Sequence, residues 1–126
     1  MKKKSRKKKP SKKTLRKKCD KLWSSIIRRK NICEICQKIG NQPHHVVGRK
    51  NLTLRYDLRN GCLLGYTHHV GGKESAHNDP IWFLEWFKKA RPKDYAYLKK
   101  KKNILSPDFD YEKTLKELTR QNQKNN

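Results

Sequence analysis

Apolar residues recur at helical spacing in the N-terminal, middle and C-terminal parts of the chain. An amphipathic helix over about residues 15–30 is predicted by Leu15, Leu22, Trp23, Ile26 and Ile27. Asn31 follows its last basic turn and is a plausible stop for the helix. A second helix is predicted over residues 81–90, because Asn78-Asp79-Pro80 supplies a cap and a first-turn proline. Its apolar residues are too many for a narrow stripe, so we expect it to be the main core contributor, packed on more than one side.

C-terminal helices are predicted over residues 92–120. Pro92 breaks the preceding helix, and Ser106-Pro107-Asp108 is expected to begin the last one. Tyr111, Leu115 and Leu118 then lie on one face of that helix. We expect the end of the chain, from Gln121, to fray.

Short apolar runs between the helices predict a small β-hairpin. Cys33-Glu34-Ile35-Cys36 lies in a turn-prone stretch and fits a knuckle between two strands. The run from His44 to Gly48 predicts one strand of the hairpin, Cys62-Leu63-Leu64 predicts the other, and Asn60-Gly61 is a two-residue turn signal. The predicted fold class is therefore α+β, with one domain over residues 14–126.

The charge of the chain predicts a polyanionic partner. Among its 126 residues, 34 are Lys or Arg and 11 are Asp or Glu, which gives a formal net charge of +23. Twelve of the basic residues lie between Lys2 and Lys18 without an acid, so residues 1–13 are expected to be a disordered basic tail. The other 22 still outnumber the acids two to one, which favours nucleic acid, DNA first, as the partner of the domain itself. The length excludes a large multi-domain enzyme.

Neither a membrane span nor a secretory signal is expected. No run of 18 or more apolar residues exists, and the N-terminus lacks an apolar stretch. The sequence thus predicts an intracellular, cytoplasmic protein. In that setting the four cysteines are interpreted as thiols or metal ligands rather than a disulfide framework.

All five histidines lie within residues 44–77, as His44, His45, His68, His69 and His77. Imidazole is a common zinc ligand and moves protons near neutral pH, so this cluster indicates a metal site, a general base, or both. The alternative is that each histidine is only solvated or structurally hydrogen-bonded.

The order of these residues resembles the HNH endonuclease family. The matching segments, within about residues 30–90, are His44-His45-Val46-Val47, Arg59-Asn60-Gly61, His69 and Ala76-His77-Asn78-Asp79-Pro80. The pattern is most similar to small phage and prophage nucleases associated with recombination. The resemblance implies a ββα-metal core with flanking helices and hydrolysis of DNA phosphodiester bonds.

On that resemblance, His45 would be the general base and Asn60 would orient its ring. His44, His69 and His77 would hold one divalent ion, whose identity stays open among zinc, manganese, nickel and magnesium. Adjacent strand residues point to opposite faces, which agrees with separate roles for His44 and His45. His77 follows His69 by eight positions instead of four, so residues 70–76 must loop out for it to return. Otherwise His68 or Glu74 would substitute, or the site would have only two protein ligands.

Family members often complete a structural zinc site with a second Cys-x-x-Cys, and this chain has Gly65 and His68 at those positions. One interpretation is a structural zinc held by Cys33, Cys36, Cys62 and His68. The other is that Cys33 and Cys36 are small buried residues in a knuckle without metal.

Four cations lie between the predicted base and Asn60, where a phosphate backbone would pass: Arg49, Lys50, Arg55 and Arg59. A solvated loop is the alternative for them. Two other functions remain open for the chain: a zinc-stabilised nucleic-acid-binding protein without catalysis, and a basic structural or ribosome-associated protein that packs on RNA.

Overall fold

Helices cover both faces of a two-stranded antiparallel sheet, which confirms the α+β class. The computed structural model describes residues 9–124. In chain order its elements are α1 (Lys12–Arg28), β1 (Gln42–His45), α2 (Leu52–Arg55), a 3-10 turn (Leu58–Asn60), β2 (Gly61–Leu64), a π-helical turn (Thr67–Gly71), α3 (Pro80–Ala90), α4 (Pro92–Lys101) and α5 (Tyr111–Lys124).

Helix α1 begins earlier than its apolar pattern predicted. Ser11 caps it, since the Ser11 hydroxyl accepts from the Thr14 N–H at 3.2 Å. Lys12 and Lys13 therefore belong to the helix and not to the predicted tail, and residues 1–8 of that tail lie outside the described residues. The helix ends at Arg28, and Asn31 follows with a positive φ of 59°, a left-handed conformation that Asn tolerates.

The sheet separates two apolar cores. His44 pairs with Cys62 and His45 with Gly61, and every residue of β2 is buried. Because side chains alternate along a strand, Leu63 joins the core formed with α1 and α5, whereas Cys62 and Leu64 join the core formed with α3 and α4. Gly61 is needed where it lies, because a Cβ there would overlap the Ile27 side chain of α1.

The predicted two-residue turn at Asn60-Gly61 is wrong. The 15 residues between β1 and β2 contain α2 and the 3-10 turn, and Gly61 is already the first residue of β2. Asn60 is fully buried, so its side chain serves long-range contacts instead of a local turn. The predicted first strand is also displaced, since β1 ends at His45, although the Val46 N–H still donates to the Asn60 carbonyl at 3.0 Å.

Helix α3 packs on one face only. Asp79 caps it as predicted, accepting from the Trp82 N–H at 3.1 Å, and Phe83 and Phe87 are buried. Ile81 is 74% exposed and Leu84 is 41% exposed, so the expectation of packing on more than one side is wrong.

The last helix starts later than Ser106-Pro107-Asp108 predicted. Asp110 provides the cap, accepting from the Lys113 N–H at 3.0 Å, and α5 begins at Tyr111. Tyr111 and Leu118 are buried on its inner face, as expected, and the helix continues to Lys124.

The segment carrying Cys33 and Cys36 forms the predicted knuckle. Ile32 pairs with Ile39 in an isolated antiparallel bridge, and the Cys33 N–H donates to the Lys38 carbonyl at 2.7 Å. Gln37 completes the reversal with a φ of 65°.

Within residues 9–124, no helix has the length and apolar character needed to cross a membrane.

Candidate metal centre

The adjacent histidines of β1 lie on opposite faces of the sheet. The His44 ring makes edge contacts with His69, His77 and Phe83, at centroid distances of 5.2, 5.1 and 5.0 Å. The His45 ring instead stacks on Trp23 of α1, at 3.9 Å and an interplanar angle of 10°. Strand alternation thus separates the two imidazoles, as the sequence predicted.

The structure brings together the three histidines predicted as metal ligands. One ring nitrogen from each of His44, His69 and His77 lies within 4.8 Å of the others. The Nε2 atoms of His69 and His77 are 3.1 Å apart. Imidazole nitrogens that bind one zinc-like ion at about 2.1 Å are separated by roughly 3.0–3.4 Å, so this pair already has the spacing of two ligands.

His77 returns to His69 through backbone hydrogen bonds. The His77 N–H donates to the His69 carbonyl at 3.1 Å, and the Ala76 N–H donates to the His68 carbonyl at 2.8 Å. The Asn78 side chain closes the intervening loop by donating to the carbonyls of Val70 and Gly72, at 2.9 and 2.8 Å. The spacing of eight residues is therefore accommodated by a looped segment that follows the π-helical turn.

Gln42 orients the His69 ring. Its Oε1 atom lies 2.7 Å from His69 Nδ1 and, as an amide oxygen, only accepts a hydrogen bond. The proton of neutral His69 is therefore assigned to Nδ1, which leaves the lone pair on Nε2, the atom that faces His77. Such a hydrogen bond behind a histidine ligand fixes its tautomer and improves it as a donor.

The environment disfavours protonation of His44 and His69. Burial, reinforced by His69, His77 and His45, lowers the pKa of His44 to about 3. Burial and the neighbouring His77 also lower the pKa of His69. Neutral imidazoles offer lone pairs to a cation, so the donor set and the lowered pKa values of His44 and His69 fit a divalent metal.

His45 is held by the backbone of α2. Its Nε2 lies 2.9 Å from the Arg55 carbonyl oxygen, which only accepts, so the ring proton is assigned to Nε2 and Nδ1 carries the lone pair. The Arg55 guanidinium in turn binds both carboxylate oxygens of Asp20 on α1, at 3.0 and 2.7 Å. Burial lowers the pKa of His45, outweighing the hydrogen bond to the Arg55 carbonyl, which raises it.

Asn60 fastens the segment that orients His45. Its Oδ1 accepts from the Val47 N–H at 2.7 Å, and its Nδ2 donates to the carbonyls of Val47 and Leu54, at 2.9 and 3.1 Å. These bonds tie the residue two beyond His45 to the residue before Arg55. Asn60 therefore links the backbone that follows His45 to the backbone that hydrogen-bonds the His45 ring.

The group of three histidines and His45 border the same open cavity of about 540 Å³. Two of the four predicted nucleic-acid contacts, Arg49 and Lys50, are exposed and line it as well. Arg49 also contacts the Asp20 carboxylate, at 3.4 Å. The other two do not line the cavity. Arg55 is paired with Asp20, and Arg59 lies over the Tyr97 ring, 4.3 Å from its centroid.

The residues predicted for a structural zinc are not brought together as a set of three or four, although Cys33 and Cys36 hydrogen-bond to each other. In residues 9–124, the group of three histidines has no counterpart that includes Cys33, Cys36, Cys62 or His68. Burial and the nearby Glu34 raise the pKa of Cys62, which keeps its thiol neutral. His68 stacks against Trp82, and its Nδ1 lies 3.0 Å from the Glu74 carbonyl oxygen. The arrangement favours the metal-free interpretation of the knuckle.

Sequence reasoning missed three residues that shape this site: Gln42, Trp23 and Asp20. A signal existed for Gln42, because a strand residue two positions before His44 lies on the same face. The roles of Trp23 and Asp20 depend on how α1 packs against the loop after β1, which no local pattern reveals.

Comparisons with protein-family models, curated proteins and solved structures find no match to this chain.

Proposed function

We propose that the chain is a metal-dependent endonuclease of HNH type that hydrolyses DNA phosphodiester bonds. The proposal rests on one cavity that is bordered both by a group of three histidines and by a fourth histidine held by different contacts. His44, His69 and His77 form a potential metal-ligand set, and His45 is kept apart from it on the other face of the strand. Hydrolysis of a phosphodiester requires a base for water and a cationic centre for the phosphate, and this arrangement provides a place for each.

In this proposal, β1, β2 and the segment leading into α3 correspond to a ββα-metal core. The strand order, the antiparallel pairing and the position of His45 on β1 support the correspondence. One difference is that His69 lies in the π-helical turn and His77 in the following loop, so neither belongs to α3. The ligands would therefore come from the connection before the helix.

His45 is proposed as the general base. With Nε2–H donated to the Arg55 carbonyl, Nδ1 is the atom that would accept a proton from the attacking water. The carbonyl would then stabilise the imidazolium that forms, because Nε2–H keeps donating to it. Asn60 and Asp20 contribute to this step as positioning residues. Asn60 holds the backbone of Val47 and Leu54, and Asp20 holds the Arg55 side chain.

His44, His69 and His77 would hold the divalent ion. When bound, that ion would supply positive charge for the phosphate and for the leaving oxygen. Three imidazole nitrogens favour zinc, manganese or nickel over magnesium, which prefers oxygen ligands. Arg49 and Lys50, exposed at the cavity, would draw the DNA backbone toward it.

A supercoiled-plasmid nicking assay over a panel of zinc, manganese, nickel and magnesium tests the proposal. Wild type is expected to nick DNA with at least one metal, and His45→Ala is expected to lose nicking while binding DNA and metal as before. If the metal-loaded wild type leaves plasmid and single-stranded DNA intact, the chain is a nucleic-acid-binding protein whose metal only supports the fold. Equal nicking by both proteins would exclude His45 as the base.

A further inference from the structure

An exposed basic ridge runs along α1. Lys13, Lys17, Lys21, Ser24 and Arg28 follow each other at intervals of three or four residues, so they lie on one side of the helix. The four cations among them are exposed. We call this set the α1 ridge.

The charge of the α1 ridge is not neutralised within its own helix. Asp20 is the one acidic residue of α1, and its carboxylate is already bound by Arg55, at 3.0 and 2.7 Å, and by Arg49, at 3.4 Å. The ridge therefore faces solvent as a row of cations. Such a row attracts a polyanion whose charges are also arranged in a line.

Helix α1 connects the α1 ridge to the elements that form the histidine cavity. Asp20, beside Lys21 in the same helix, contacts Arg49, which lines the cavity. At the end of the ridge, Arg28 Nε donates to the Asn41 carbonyl at 3.3 Å, one residue before β1. The buried Trp23 of the same helix supports the His45 ring. The ridge and the cavity are thus held in a fixed relation by α1.

We propose that the α1 ridge is a second contact surface, which follows the phosphate backbone of DNA beyond the phosphate held in the histidine cavity. The path of the DNA from the cavity to the ridge rests on the proposed function, but DNA binding at the ridge requires no cleavage. From Lys17 to Arg28 the helix rises about 16 Å, the axial length of roughly five nucleotides. The ridge has no apolar side chain to insert into lipid, which argues against a membrane as its partner.

The test uses the full chain with Lys17 and Lys21 both changed to Glu, and a matched control with Lys116→Glu and Lys124→Glu on α5. All four lysines are exposed, and both variants change the net charge equally. Affinity for a fluorescent 30-base-pair duplex is measured against salt concentration in EDTA, so that no cleavage occurs. The ridge variant is expected to bind about tenfold or more weakly at 0.1 M salt, with the slope of log K against log salt reduced by about 2. The control is expected to stay close to wild type.

Equal losses in the two variants would overturn the α1 ridge, because net charge alone would then explain them. Loss of binding to anionic phospholipid vesicles, with duplex binding retained, would also overturn it and assign the ridge to a membrane surface. The nuclease proposal fails separately. If the wild type does not nick DNA but the ridge variant shows the expected loss, the ridge stands as a binding surface; if nicking occurs and both variants bind equally, the ridge alone fails.

Discussion

Changing Asn60 to Ala should destabilise the protein more than an ordinary buried polar substitution. Asn60 is fully buried and makes three hydrogen bonds, to the Val47 N–H, the Val47 carbonyl and the Leu54 carbonyl. The Leu54 carbonyl keeps a second partner, because it also accepts from the Asp57 N–H at 3.1 Å. The substitution therefore leaves mainly the two Val47 groups unpaired, each at a cost of about 1–2 kcal/mol.

The expected loss in the free energy of unfolding is thus about 2–4 kcal/mol. For a domain of this size, that lowers Tm by on the order of 10 °C. Chemical denaturation followed by circular dichroism gives the change directly, from the shift in midpoint at constant slope.

Asn51→Ala is a matched control in the same segment. Asn51 caps α2, accepting from the Leu54 N–H at 3.2 Å, but it is only half-buried. Loss of such a cap costs about 1 kcal/mol, and the exposed bond that Asn51 Nδ2 donates to the Lys102 carbonyl, at 2.7 Å, adds about 0.5 kcal/mol. If Asn60→Ala costs no more than Asn51→Ala, the assignment of Asn60 as the link between Val47 and Leu54 is refuted.

Three further predictions follow from the site. Gln42→Ala should lower zinc affinity by about 10–100-fold with little change in stability, because His69 loses the partner that fixes its tautomer; unchanged affinity in a competition titration would contradict this. Metal analysis should find one zinc per chain, and Cys36→Ser should not reduce it; two equivalents, or loss of one in the variant, would instead support a structural zinc at the knuckle. Trp23→Phe should keep an aromatic ring against His45, but it loses the 3.0 Å bond from Nε1 to the Asp57 carbonyl and leaves a small cavity at a buried site, costing about 2–3 kcal/mol of stability. Cleavage should stay within a few-fold of wild type; loss of cleavage comparable to that of His45→Ala would show that the indole itself is required.

The elements with strong local signals were predicted well. The period of Leu15 to Ile27 predicted α1, and Asp79 before Pro80 predicted the start of α3, because caps and apolar periodicity act within a few residues. The same logic misplaced α5, since Asp110 offers a competing cap four residues after Ser106. Two local signals of similar strength lie close together there, and the packing of Tyr111 favours the later one.

The grouping of three histidines was predictable from the sequence, but most of the contacts that hold their rings and the His45 ring were not. The positions of His44, His69 and His77 were expected, and alternation along β1 separates His45 from them. The contacts that hold the rings come from distant parts of the chain: Gln42, the Arg55 carbonyl and Trp23. Asn60-Gly61 was misread for the same reason, because burial against Val47 and Leu54 outweighs its preference for a tight turn.

The division of labour between the two neighbouring histidines is the central claim, and the metal dependence of cleavage tests it most directly. The measurement is the initial rate of plasmid nicking as a function of metal concentration for wild type, His44→Ala and His45→Ala. Loss of a ligand weakens metal binding, so His44→Ala should need at least tenfold more metal and should recover activity as the metal approaches saturation. Loss of the base cannot be compensated by metal, so His45→Ala should stay inactive at every concentration. Recovery of His45→Ala at high metal, or identical curves for the two variants, would contradict the claim.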